Sequence, residues 1–135
     1  TGRPFLGVCV GMHMLFEGSE ESPDVPGLGV LAGTVRRLPD GVKRPQMQWN
    51  RVVPTRPSGL LDGIPEPIWV YFVHSYAADS DEHAVAVCDY GGPVVAAVER
   101  GALWATQFHP EKSGATGLRI LGNFVQAAAG AAEAA

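Results

Sequence analysis

The stretch "RPFLGVCVGMHMLFEGSEE", residues 3–21, decides the fold. Phe5–Val8 is a short apolar run without interruption, the pattern of a strand buried on both faces of a parallel sheet. Cys9 follows between Gly7 and Gly11, and from Gly11 onward Met12, Leu15 and Phe16 recur at helical spacing. A strand that turns this sharply into a helix strains and crowds its turn residue, so small neighbours are needed. A cysteine there is the thiol form of a nucleophile elbow. The partial positive charge of the helix start favours the thiolate. The backbone N–H of Val10 can face a developing oxyanion. Taken alone, the pattern equally fits a packed strand cysteine.

Outward from this stretch, Gly, Ser and Pro break the helix into a loop. Residues 28–38, 46–53, 68–78, 84–90, 94–100 and 103–109 read as strands, with one helical turn in 59–67. From Gly114 a final helix is expected, with Leu118, Leu121, Phe124 and Val125 on one apolar face. Residues 1–130 then form one domain and 131–135 a flexible tail. A strand–elbow–helix start, hairpin strands and a closing helix imply an α/β domain with helices on a central sheet.

Composition narrows the function classes. The 135 residues suffice for one core, and the net charge of -4 argues against a nucleic-acid partner. No apolar stretch is long enough to span a bilayer, and no secretory leader is recognisable, so the cytoplasm is the expected compartment and no membrane is implicated. Cys9 and Cys88 lie far apart in unlike contexts and read as unpaired thiols, Cys88 as a packed strand residue. No Cys/His set has metal spacing, and neither a metal nor a cofactor is expected. The chain enters its first strand without a turn, cap or initiating Met, which gives the expectation of an N-terminally incomplete domain.

The second informative stretch is "QFHPEKSG", residues 107–114. It follows an apolar strand, so His109 lies at a strand end, where functional groups of α/β sheets collect. Pro110 keeps the chain extended, and side chains two apart then share one side. Glu111 can therefore hold the His109 tautomer while His109 exchanges a proton with Cys9. A lone His-x-Glu is also compatible with a solvated loop; the pairing with the cysteine elbow is what suggests a triad.

"GVCVGM", "YFVHSY" and "FHPEKSG" together resemble the class I (triad) glutamine amidotransferases. Within them, "MLFEGSEE", "GLGVLAGTV", "PQMQWN" and "GLRILGNF" are similar to the subfamily of amidotransferase subunits of imidazole glycerol phosphate synthases. The resemblance implies a three-layer, flavodoxin-like α/β domain around a mostly parallel sheet, here without its first strands. It implies hydrolysis of L-glutamine to glutamate and ammonia, and a (β/α)8-barrel cyclase partner that receives the ammonia in histidine synthesis. By motif match, Cys9 is the nucleophile, His109 the acid and base, Glu111 its orienting carboxylate, and the Val10 N–H an oxyanion donor. Gly11, His13, Glu21, His74, Ser75 and Tyr76 match the glutamine pocket, and Trp49, Asn50, Tyr71 and Lys112 match the cyclase contact. Three positions depart from the pattern: His13 stands where Gln is usual, and Gln46 and Gln48 stand where His and Gly are usual. The family's glycine-rich loop, source of a second oxyanion donor, does not occur before Cys9, so the chain by itself is expected to be impaired. Other amidotransferases of the class, or a fragment that only binds a partner, are the alternatives.

Overall fold

The computed structural model describes residues 2–134. Strand β1 (Phe5–Val8) turns at Cys9 into the short helix α1 (Val10–His13), followed by β2 (Gly18–Ser19) and β3 (Thr34–Arg37). Strands β4 (Gln46–Pro54), β5 (Ile68–His74), β6 (Tyr76–Ala78), β7 (Ala84–Asp89), β8 (Pro93–Arg100) and β9 (Leu103–Thr106) follow. A 3-10 turn, Pro110–Lys112, leads into the long helix α2 (Gly114–Ala134). Residues 131–134, expected as a tail, continue that helix.

Six strands form one sheet in the order β1-β9-β8-β7-β4-β5, and β2-β3-β6 form a smaller one. The α/β class is as expected, but the main sheet is mixed rather than mostly parallel. Its one parallel pairing joins β1 to β9, and the other neighbours run antiparallel. The links explain this: "YGG" joins β7 to β8 and "GA" joins β8 to β9, whereas a parallel crossover needs a dozen residues or more.

The core is layered by strand alternation. On β9, Trp104 joins a cluster with Leu60, Phe72, Phe108 and Ile120, while its neighbour Ala105 joins the opposite one with Met12, Leu15, Phe16 and Val35. Helix α2 thus covers one face of the main sheet, and α1 with the small sheet covers the other. Cys88 is buried in the first cluster, as read from the sequence. On α2 the buried positions are Gly117, Ile120 and Asn123, with Phe124 partly covered; Leu118 and Val125 face solvent. The inward face is thus rotated from the expected one. Gly117 sets it, because a Cβ there would lie 1.8 Å from the Pro110 carbonyl oxygen. Asn123 reinforces it by donating to the carbonyls of Leu60 and Asp62, at 3.1 and 2.9 Å.

Four other expectations change. β1 is an edge strand among the described residues, with Gly7 its one buried position, rather than a strand covered on both faces. The 28–38 stretch is extended only over β3, and 59–67 forms turns without a helix. The 68–78 stretch divides at Ser75, where the chain leaves the main sheet and joins the small one.

Candidate active site at the ends of β1 and β9

Parallel pairing of β1 with β9 matches Val8 to Thr106, so both chains leave the sheet side by side. Cys9 adopts φ 54 and ψ -104, a left-handed conformation that costs a non-glycine residue about 1–3 kcal/mol. Three backbone bonds hold it there. Its N–H donates to Thr106 O (2.7 Å), and its carbonyl accepts from Met12 and His13 N–H (3.0 and 3.1 Å). Gly7 makes the turn possible, because a Cβ at that position would lie 2.7 Å from the Gly11 carbonyl oxygen. Gly11 is different: a Cβ there meets nothing within 4 Å, so the space above it is open.

The Cys9 sulfur faces strand β5, with Sγ 3.9 Å from the Val73 carbonyl. His109 is fastened to the same strand, its N–H donating to Tyr71 O at 3.0 Å. Cys9 and His109 are thus both referenced to residues 71–73. Nδ1 of His109 is hydrogen-bonded to a carboxylate oxygen of Glu111, the expected contact, but it is made across the 3-10 turn Pro110–Lys112, with His109 capping its start, and not along an extended chain. Glu111 accepts, so the proton sits on Nδ1 and Nε2 is left free to accept one.

Two residues of the site were not singled out from the sequence, Ser113 and Gln107. The buried Ser113 hydroxyl donates to His109 O (2.6 Å) and accepts the Tyr71 N–H (3.0 Å), locking the His109 segment onto β5. Ser113→Ala takes the partner from the half-buried Tyr71 N–H and one of two donors from the His109 carbonyl, which keeps the Lys112 N–H at 3.0 Å, and is expected to destabilise the fold by about 1–2 kcal/mol. Urea unfolding reads this, and an unchanged midpoint would refute the locking role. Gln107 is fully buried, with Nε2 3.7 Å from Cys9 Sγ and Oε1 2.6 Å from His13 Nε2. Gln107 follows the last residue of β9, where the chain bends away from the sheet, so no strand periodicity in the sequence points to its place beside Cys9.

The electrostatics depart from one expectation. Burial is the largest influence on the Cys9 thiol and pushes it above the ordinary value; the charges of Glu21 and Glu111 push the same way. The Val10 N–H and the Gln107 amide oppose this without reversing it. A helix start was expected to favour thiolate, but α1 spans only Val10–His13, and four residues sum to little dipole.

The remaining candidates fall into three groups. Val10, His13 and Glu21 line a cavity of about 190 Å³ together with Met14, Ser19 and Val25. His74 is buried, and burial pushes its imidazole down to about 4, so the ring is neutral. Its Nδ1–H donates to Tyr76 O (2.8 Å), which leaves Nε2, 2.7 Å from the Gln46 side-chain amide, as an acceptor. The Gln46 NH2 turned toward that ring gains the partner it otherwise lacks. Gln46 is therefore an interior residue rather than part of a contact surface; Gln48 is exposed. Ser75 accepts the Leu38 N–H (2.8 Å), and Tyr76 pairs with Arg37.

Trp49 packs edge-on against Tyr71, ring centroids 6.1 Å apart, with exposed Lys112 on the neighbouring 3-10 turn. Trp49 and Trp69 are each half exposed. Asn50 does not join them. Strand alternation turns it away, and its Nδ2 donates to Asp89 O at 3.1 Å. Among the described residues no group of three His, Cys, Asp or Glu side chains is placed to hold a metal, and no helix is long and apolar enough to cross a membrane.

Residues 1–128 match the family described as glutamine amidotransferase class-I. The chain is 52% identical over 128 residues to the imidazole glycerol phosphate synthase subunit HisH of Deinococcus radiodurans, covering 92% of this chain and 60% of that protein. It is 48% identical over 126 residues to the subunit of the same name from Desulfitobacterium hafniense, with 92% and 60% covered. The chain thus spans about 60% of the length of the curated relatives it matches. Among solved structures, a glutamine amidotransferase from Thermotoga maritima superposes with TM-score 0.58 at 23% identity, covering 96% of this chain and 48% of that one, a likeness of fold.

Proposed function

The chain belongs to the class I glutamine amidotransferases, and from that premise we propose that it is the glutaminase subunit of an imidazole glycerol phosphate synthase. The observation that carries the chemistry is the strained Cys9, held with the His109–Glu111 pair against residues 71–73 of β5. His109 Nε2 takes the Cys9 proton as Sγ adds to the side-chain carbonyl carbon of glutamine. The negative charge on that oxygen is met by the Val10 N–H. When the tetrahedral species collapses, the C–N bond breaks and His109 returns the proton to the departing ammonia. Water, deprotonated by His109, then cleaves the thioester to glutamate and restores the thiol. Glu111 keeps the imidazole in the one tautomer that serves both halves.

Glutamine enters over Gly11, whose surroundings are open, with its ammonium group toward Glu21 in the cavity beside His13. Ser75 and Tyr76 complete the pocket, and His74 supports it from below. The half-exposed Trp49, with Tyr71 and Lys112, forms the surface for a (β/α)8-barrel cyclase, which takes the ammonia in a cytoplasmic heterodimer. Asn50 contributes there through the strand rather than through its engaged side chain. The reaction requires no cofactor. Ammonia release from glutamine, measured for the protein with and without a barrel cyclase, tests the assignment. Release that rises when the cyclase and its nucleotide ligand are added is expected. No ammonia under either condition would refute it.

A further inference from the structure

We propose that Gln107 is a hydrogen-bond donor to the Cys9 sulfur and that His13 is the positioning residue that turns the Gln107 amide toward it. The proposal rests on the reading of Cys9 as the nucleophile, and it concerns two residues to which that reading gives no such part.

Three elements meet here: the elbow, helix α1 and the segment beyond β9. Gln107 has no exposure, and its backbone N–H donates to Ala96 O at 2.8 Å, which fixes where its side chain starts. Its amide is planar, so its two ends act as one rigid unit: Oε1 lies 2.6 Å from His13 Nε2, and Nε2 lies 3.7 Å from Cys9 Sγ. Burial holds His13 below the ordinary imidazole value, so the ring is neutral at pH 7 and has one N–H to give. With that proton on Nε2, the ring donates to Oε1, and the Gln107 NH2 is left facing the sulfur.

The orientation matters once the sulfur ionises. A neutral thiol tolerates either end of the amide, but a thiolate accepts only from the NH2 and is repelled by the oxygen. The surroundings make that donor valuable. Glu21, from the loop after β2, and Glu111, on the 3-10 turn, both place negative charge toward Cys9, and the Val73 carbonyl of β5 faces it as well. Against these stand the Val10 N–H, the Gln107 NH2 and the imidazole of His109 from the segment after β9. From the sequence, His13 takes the place of a substrate-binding amide. In the structure its Nε2 is committed to Gln107.

The test is the pH dependence of Cys9 alkylation by iodoacetamide in the whole chain, read at each cysteine by peptide mass spectrometry. Cys88 is an internal control. It is buried, and burial pushes its thiol to about 12, so it reacts only when the fold opens. Gln107→Leu is expected to raise the alkylation midpoint of Cys9 by about one pH unit. His13→Ala should move it part of the way and add nothing in the Gln107→Leu background, because both act through one amide. His13→Gln, which can again donate to Oε1, should restore the parent midpoint.

An unchanged midpoint in Gln107→Leu, with Cys88 still protected, overturns the proposal. Additive shifts in the double variant overturn the orienting part. If Gln107→Leu exposes Cys88, the isosteric Gln107→Glu decides. It keeps the acceptor for His13 but presents oxygen to the sulfur, so its midpoint must rise for the proposal to stand. No glutamine enters these measurements, so a protein that shows the shifts without hydrolysing glutamine would refute the proposed function and leave this inference intact.

Discussion

Cys9→Ala is expected to lower ammonia release from glutamine by about 10⁴-fold or more, while supplied ammonium salts still support synthesis by the complex with the proposed cyclase. The size follows from the absence of a substitute. Cys88, the other thiol of the chain, is buried and held to about 12, far from ionising at neutral pH. Water in place of Sγ would have to attack an amide directly, without a covalent intermediate to divide the barrier. The substitution itself removes only a sulfur at a turn whose three bonds are made by backbone atoms, so the elbow persists. Parent-level ammonia release by this variant would end the assignment of Cys9. A complex that ammonium fails to rescue would end the cyclase partnership instead.

His109→Asn is expected to be nearly as damaging, by about 10³- to 10⁴-fold, and to change the shape of the pH profile. Burial raises the Cys9 thiol above its ordinary 9.0. At pH 7 no more than about 1% of the sulfur is then thiolate without a base. The direction follows directly. Because the value is raised, the ionised fraction keeps growing as pH rises through neutrality and levels off only above that value. The variant should therefore gain about tenfold in rate per pH unit between pH 6 and 8. The parent should not if His109 takes the proton as proposed. Log rate against pH for both proteins is the measurement. A variant that retains the parent rate and a flat profile would show that His109 is not the base.

The fold was legible where local signals were strong. The apolar β1, the elbow at Cys9, the hairpin strands from β4 to β9 and the long α2 all correspond to patterns in the chain. What was not legible depended on partners distant in sequence. β1 has the composition of a doubly covered strand, yet among the described residues it pairs with β9 alone, about a hundred residues later. The rotation of α2 came from the close approach of Gly117 to Pro110 and from Asn123 binding Leu60 and Asp62, neither of which a hydrophobic count can see. Ser75 has the look of an ordinary strand residue, and the change of sheet occurs there because β3 and Leu38 are available to pair.

The candidate site divides in the same way. The identities of Cys9, His109 and Glu111 are set by local chemistry: a thiol between glycines at a turn, and an imidazole two residues from a carboxylate. Those relations are encoded over a few residues and survive without knowledge of the fold. The tertiary structure alone decided what surrounds them. It places Val73 and Tyr71 as the common reference for sulfur and imidazole, Ser113 as the lock, and Gln107 between His13 and Cys9. It also decided the direction of the thiol's shift, upward by burial rather than downward by the helix start. Ionisation depends on burial and on charges brought from Glu21 and Glu111, and those distances exist only once β1, β9 and β5 have met.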